Sequence, residues 1–97
     1  MKDLEEIKGI IAGQKGTLKS RFMVSEIGVF GSCVRGEARK KSDVDILVSF
    51  GKPVDFIEFI RLENYLAELL GAKVDLVTKG ALKPRIGKRI LDEVVYI

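Results

Sequence analysis

The sequence predicts a single domain of the α/β (α+β) class, in which helices cover one face of a small mixed sheet and carboxylates occupy the other. Three observations support this prediction. Short apolar runs alternate with longer segments whose apolar residues recur every three or four positions, as in strands and helices. Three aspartates stand on predicted strands, where apolar residues are expected. Because most domains contain about 100–150 residues, we interpret residues 1–97 as one domain.

The N-terminal half predicts a helix, a strand and a second, short helix. Apolar residues at intervals of three, four and seven indicate one face of the first helix. They are Leu4, Ile7, Ile11, Leu18 and Phe22. A short apolar run at residues 27–30 predicts a buried strand, which Gly31-Ser32 ends. Residues 33–38 are expected to form the short helix, followed by a basic loop at residues 39–42.

The C-terminal half predicts two more strands and two more helices. Residues 43–49 read as a strand whose apolar side chains share one face, and residues 73–78 read as another. Between them, Asp55 is expected to cap a long helix that Gly71 ends. Pro84 fits the first turn of a last helix. We expect that helix to continue into the apolar residues 94–97.

The composition excludes several kinds of site. The chain contains no histidine, which removes histidine bases, histidine metal ligands and serine–histidine or cysteine–histidine nucleophiles. The 17 basic and 14 acidic residues give a net charge of +3, which is too mild to indicate a dedicated nucleic-acid binder. Acid–base or metal chemistry must therefore come from carboxylates.

The sequence also predicts a cytoplasmic location. Cys33 is the single cysteine, so an intrachain disulfide is excluded and a reducing compartment is expected. Acidic residues stand near the N-terminus, where a signal peptide would carry basic ones. No apolar run approaches the ~20 residues that a membrane helix needs, so no membrane segment is expected.

Three aspartates predict a metal site. Asp43 and Asp45 are two positions apart on a strand, so both carboxylates project from one face, roughly 6–7 Å apart. Asp75 interrupts another strand in the same way. If the two strands are neighbours, the three like charges converge and repel one another. Magnesium is the natural counterion, because it binds hard oxygen ligands, and two ions would clamp an in-line displacement at phosphorus.

Gly31-Ser32 predicts a phosphate-binding turn next to that metal site. Glycine lets the backbone approach a phosphate closely, and the start of a helix offers free amide donors. Each feature alone has an ordinary explanation. An isolated Asp-x-Asp is usually a solvated strand end, Gly-Ser is usually a turn, and Asp75 alone fits an exposed edge position or a lysine partner. Their joint occurrence favours a site.

Residues 31–48 combine Gly-Ser, ten further residues and an Asp-x-Asp that opens an apolar strand. This arrangement closely resembles the signature of the DNA polymerase β-like nucleotidyltransferases, and it is most similar to the minimal nucleotidyltransferase (MNT) branch. Residues 73–77 resemble the third catalytic strand of that family, and residues 82–97 resemble its C-terminal helix and ending. The resemblance covers most of the chain and implies the two-layer polymerase β-like fold.

The resemblance also implies a role for each matching residue. The implied site has catalytic, metal-binding Asp43, Asp45 and Asp75 and nucleotide-binding Gly31, Ser32, Arg35 and Ser42. The first two aspartates would bind two Mg²⁺ ions. Asp75 would bind one ion and help to deprotonate an acceptor hydroxyl, and the Gly-Ser turn would hold the triphosphate of ATP. Arg35 fits a structural salt bridge as well as a direct phosphate contact.

In the family, MNT proteins are commonly paired with a helical HEPN ribonuclease toxin. The resemblance therefore implies an antitoxin that transfers AMP from ATP to a tyrosine of such a partner. A non-catalytic antitoxin that neutralises by binding alone is the alternative. Three buried carboxylates favour the enzyme, because their desolvation costs free energy without structural benefit. A small-molecule transferase is a third interpretation, but the relatives of that kind carry an additional substrate domain.

Apolar residues cover more than half the circumference of the predicted long helix, which is more than one sheet face can bury. Together with the apolar residues 94–97, they predict a contact with a second copy of the chain or with the helical partner. The alternative is that the first helix covers the excess.

Overall fold

The structure, a computed structural model, describes residues 3–36 and 43–97. Its elements are α1 (Leu4–Ala12), α2 (Lys15–Phe22), β1 (Val24–Phe30), α3 (Ser32–Arg35), β2 (Val44–Phe50), α4 (Phe56–Leu70), β3 (Val74–Thr78), a 3-10 turn (Lys79–Ala81), α5 (Pro84–Glu93) and β4 (Val95–Tyr96). Ser42 and the rest of the predicted basic loop lie outside the described residues, as do the last two residues of the predicted short helix.

The described strands form one mixed sheet in the order β3-β2-β1-β4. Strand β1 pairs antiparallel with β2 on one side and with β4 on the other. Strands β2 and β3 are parallel, with α4 as the crossover between them. The α/β class and the mixed sheet are therefore confirmed.

The main hydrophobic core lies between one face of the sheet and the helices. Strand β2 contributes Val44, Ile46 and Val48, which share a face because side chains alternate along a strand. Helix α4 contributes three leucine side chains spaced about one turn apart on one face, and α1 and α2 bury four further side chains. These helical residues are Leu62, Leu66, Leu70, Ile7, Ile11, Leu18 and Phe22. The opposite face of the sheet also carries buried apolar side chains, since Phe30 and Leu47 are buried there outside the main core.

The N-terminal segment forms two helices rather than one. Helix α1 ends at Ala12, and the backbone N–H of Gly13 donates to the carbonyl of Gly9. Glycine has a low helix propensity, so the break falls where Gly13 and Gly16 lie close together. Four of the five predicted apolar positions are nevertheless buried and Leu4 is partly buried, because both helices present them to the same core.

The C-terminal end differs from its prediction. Helix α5 ends at Glu93, and Val94 is already extended, with φ −60° and ψ 136°. Val95 and Tyr96 pair with Val29 and Gly28, and the N–H of Ile97 donates to the carbonyl of Ile27. The edge of β1 supplies hydrogen-bond partners, and β-branched and aromatic residues favour a strand. Tertiary pairing therefore overrides the predicted helical ending.

The ends of α4 agree with the sequence. The Asp55 carboxylate accepts a hydrogen bond from the backbone N–H of Glu58 at 2.8 Å, and Gly71 takes the left-handed conformation with φ 62°.

Within residues 3–36 and 43–97, no helix has the length and apolar character that spanning a membrane requires.

Candidate active site

The strand order places two of the three predicted carboxylates side by side. Strand β3 is the direct neighbour of β2, and Asp75 is the register partner of Asp45. Neighbouring strands lie about 4.8 Å apart, so these side chains leave the same face at adjacent positions. Asp43 stands just before β2 and points to the face of Asp45 by strand alternation. The sequence left open whether these two strands are neighbours, and the structure shows that they are.

Among the described residues, negative charges outnumber positive ones around Asp45. The pKa of Asp45 is raised, first by burial and then by the negative charges of Asp75 and Asp43. Glu93 raises it further, and within the described part of the chain the Arg35 guanidinium acts in the opposite direction. The site thus concentrates negative charge around a partly buried carboxylate.

A divalent cation fits this donor set. Carboxylate oxygens are the hard ligands that Mg²⁺ prefers, and a cation would relieve the repulsion that raises the pKa of Asp45. Among the residues that the structure describes, no three acidic, cysteine or histidine side chains are grouped so that they could hold a metal ion by themselves. Mg²⁺ commonly relies on one or two carboxylates together with substrate phosphates, so an incomplete protein cage is compatible with it.

The Gly31 turn lies directly against the carboxylate site. Gly31 has φ 81° and ψ −151°, a conformation that is essentially restricted to glycine. A Cβ at this position would overlap the carboxylate of Asp45. Both the backbone conformation and the close approach therefore require glycine, and they join the predicted phosphate turn to the predicted metal site.

Helix α3 begins at the predicted phosphate turn. The N–H groups of Val34 and Arg35 donate to the carbonyl of Gly31, so the N–H groups of Ser32 and Cys33 precede the first helical bonds. The Ser32 side chain is half-buried beside them. Cys33 is buried in the core, and burial, followed by the charge of Asp45, raises the pKa of its thiol.

Glu93, at the end of α5, is a site residue that the sequence did not reveal. Its Oε1 accepts a hydrogen bond from the N–H of Gly31 at 2.8 Å. Nη1 of Arg35 donates to Oε1 at 3.0 Å and to Oε2 at 3.1 Å. Arg35 therefore does form the salt bridge that was one of its two interpretations. Glu93 is 62 residues from Gly31 in the chain, so no local motif could have indicated the contact.

Asp43 lies near a basic side chain. Nζ of Lys73 lies 4.0 Å from Asp43 Oδ2; the Lys73 side chain is largely exposed and that of Asp43 is partly exposed. Such an exposed pair contributes little to stability. Asp43 is therefore free to exchange this partner for a cation.

A pocket of about 540 Å³ lies elsewhere, between α2 and β1. Glu26 is the one acidic side chain that lines this pocket, so none of the three predicted aspartates lies in it. The carboxylates and the Gly31 turn, and not this pocket, therefore mark the candidate site.

Comparison with known proteins identifies the family. Residues 11–97 match the model of the nucleotidyltransferase domain. The chain is 56% identical to protein adenylyltransferase MntA of Thermococcus cleftensis over 97 residues, covering 100% of this chain and 98% of the relative. A solved structure assigned as a minimal nucleotidyltransferase is 35% identical, with a TM-score of 0.75, and the match covers 92% of this chain and 93% of that one.

The same fold occurs in a more distant solved structure. It is that of a tri-AMPylated Shewanella oneidensis HEPN toxin in complex with an MNT antitoxin. The identity is 21% and the TM-score 0.69, and the match covers 95% of this chain and 69% of that chain. At this identity the likeness concerns the fold.

Proposed function

The chain belongs to the nucleotidyltransferase domain family, and from that premise we propose that it transfers AMP from ATP to a hydroxyl group of a protein partner. The observation that carries the proposal is the pairing of Asp45 with Asp75, with Gly31 packed against Asp45. The name of the 56% identical relative, protein adenylyltransferase, supports a protein acceptor.

In this proposal the three aspartates hold Mg²⁺ together with the triphosphate of ATP. When bound, two such ions neutralise the phosphates and stabilise the attacking and leaving oxygens. Asp43 and Asp45 would bind both ions, and Asp75 would bind one. The N–H groups at the start of α3 and the Ser32 hydroxyl hold the phosphates, and Ser42 supports the nucleotide or its loop.

The transfer is an in-line displacement at the α-phosphorus of ATP. Asp75 accepts the proton of the acceptor hydroxyl, whose oxygen forms a new bond to that phosphorus. The bond from the α-phosphorus to the bridging oxygen breaks, and pyrophosphate leaves with the electron pair. Asp75 is the more exposed of the register pair, so an acceptor can reach it from solvent.

We propose a helical toxin of the HEPN type as the acceptor, with a tyrosine as the modified residue. The complex of a HEPN toxin with an MNT antitoxin of the same fold supports this choice. Phe56 and Ile57, at the start of α4, are 75% and 64% exposed, which gives an apolar surface for a protein partner. A second copy of the chain is the alternative partner for this surface. A cytoplasmic location fits the unpaired Cys33.

Two measurements test the proposal. Calorimetry should show that ATP binds with Mg²⁺ and much more weakly in EDTA, because the carboxylates repel an uncompensated triphosphate. Equal affinities in both conditions would contradict a metal-bridged site. Mass spectrometry of the partner, incubated with the chain and MgATP, should show added AMP on tyrosine.

Light scattering at micromolar concentration tests the assembly. A stable complex with a protein encoded beside this chain supports the protein acceptor, and a larger species of the chain alone supports a homo-oligomer. A monomer that binds no such partner would instead favour a small-molecule acceptor.

A further inference from the structure

Glu93 contacts both ends of α3. At one end it accepts the N–H of Gly31, the residue before the helix, and at the other end it binds the guanidinium of Arg35, the last helical residue. Its side chain is 25% exposed, so the pair is partly shielded from water. Helix α5 is thereby joined to the turn that carries the proposed phosphate donors.

This contact matters because the turn has little stability of its own. Helix α3 has four residues, and an isolated helical turn is unfavourable because nucleation fixes several residues for one hydrogen bond. Gly31 has many alternative conformations, and only one of them lies against Asp45. Tertiary contacts must therefore hold the turn, and a charge-assisted hydrogen bond is among the stronger ones available.

We propose that Glu93 is a positioning residue for nucleotide transfer. It holds the Gly31 peptide and the Arg35 guanidinium in a fixed relation, so that the phosphate donors of α3 stay aligned with Asp45. The inference rests on the proposed function for the identity of the ligand. Glu93 itself touches neither nucleotide nor acceptor and acts through Gly31 and Arg35.

The charge of Glu93 and its positioning role predict opposite effects on ATP. A carboxylate that acts on Asp45 also repels a triphosphate, so a purely electrostatic role means that its neutralisation tightens nucleotide binding. A positioning role means that its neutralisation weakens binding, because the donors lose their alignment. The sign of the change in affinity therefore distinguishes the two.

The experiment compares Glu93→Gln and Glu93→Ala with Asp92→Asn in the full chain. Asp92 is the adjacent carboxylate, exposed and paired only loosely with Lys88 at 3.9 Å, so it controls for the loss of one negative charge on α5. We expect Glu93→Gln to raise the Kd and KM for MgATP about tenfold, which is roughly 1.4 kcal/mol. Glu93→Ala should raise them further, since glutamine can still accept the Gly31 N–H, and Asp92→Asn should change neither.

Amide hydrogen exchange at Gly31, followed by NMR without nucleotide, provides a readout that does not depend on activity. Exchange should be faster in both Glu93 variants and unchanged in Asp92→Asn, with the melting temperature of each chain measured in parallel. If Glu93→Gln does not fold, Glu93→Asp, which keeps the charge but shortens the reach, gives the same comparison.

Unchanged or tighter MgATP binding in the Glu93 variants overturns the positioning role, and so does unchanged exchange at Gly31. A wild-type chain that does not bind MgATP overturns the proposed function instead. The Gly31 amide then still decides whether Glu93 holds the turn.

Discussion

The two faces of strand β2 serve opposite purposes. On one face Val44, Ile46 and Val48 are buried against the helices, and this burial stabilises the domain. On the other face Asp43 and Asp45 carry charges that repel Asp75, and the raised pKa of Asp45 shows that its ionisation is disfavoured there. One seven-residue strand thus stabilises the fold with one set of side chains, while its other set combines buried Leu47 with Asp45 of the charged cluster, next to Asp43 just before the strand.

The largest expected effect comes from neutralising the carboxylate face. Asp43→Asn combined with Asp45→Asn nearly keeps side-chain volume but removes two of the charges that we propose to bind Mg²⁺. We expect AMP transfer to fall by ~10³-fold or more, because metal ions supply several kcal/mol of charge stabilisation. The fold should remain intact. Transfer assays measure the activity, and circular dichroism measures the folded state. Asp92→Asn, at an exposed position, is the control.

The same double variant separates the enzyme from the binding-only antitoxin. If cells that express the toxin survive as well with the doubly substituted chain as with the parent, neutralisation does not require catalysis and the binding interpretation is correct.

Substitutions in the core between the sheet and the helices should lower the stability of the fold instead. Leu66→Ala removes a fully buried side chain from α4. We expect the free energy of unfolding to fall by about 2–5 kcal/mol, through lost transfer free energy and the cavity left behind. Denaturant titration measures it. Leu91→Ala at an exposed position of α5 is the control, and a similar loss there would mean that α5 is buried in an assembly.

Gly31→Ala tests the place where the turn meets the carboxylate. It combines an unfavourable backbone conformation with overlap on Asp45, and we expect it to cost about 1–3 kcal/mol of stability and to impair MgATP binding. Gly36→Ala is the matched control, since Gly36 also has a positive φ of 72° but none of the described residues contacts the place where its Cβ would lie. Equal effects on nucleotide binding would contradict the contact with Asp45.

The smallest expected effect is a change in pH dependence. The pKa of Asp45 is raised in the folded state, so the folded chain binds a proton more readily than the unfolded chain. Stability from this group therefore increases as the pH falls through the raised pKa, and it is lost as the pH rises. In EDTA, Asp45→Asn should raise the melting temperature at pH 7, and the difference should shrink at pH 4. A constant difference across this range would contradict the assignment.

Much of the fold followed from local patterns. Asp55 and Gly71 delimited α4 because caps are local devices, and the alternation in β2 separated its apolar face from Asp43 and Asp45. The break near Gly13 and the strand at Val95–Tyr96 were missed. The break has a local cause, the glycines, which apolar periodicity does not record, whereas the strand depends on pairing with the distant β1.

The sequence by itself determined which chemistry is available. Without histidine, and with three strand aspartates following a Gly-Ser turn, carboxylate and metal chemistry on phosphate was the consistent choice. The tertiary structure decided which groups meet. The parallel pairing of β2 with β3 brought Asp75 beside Asp45, and the end of α5 brought Glu93 to Gly31 and Arg35. Strand order and helix docking are set by burial of the whole core, so the partners of a charged side chain follow from packing and not from its neighbours in the chain.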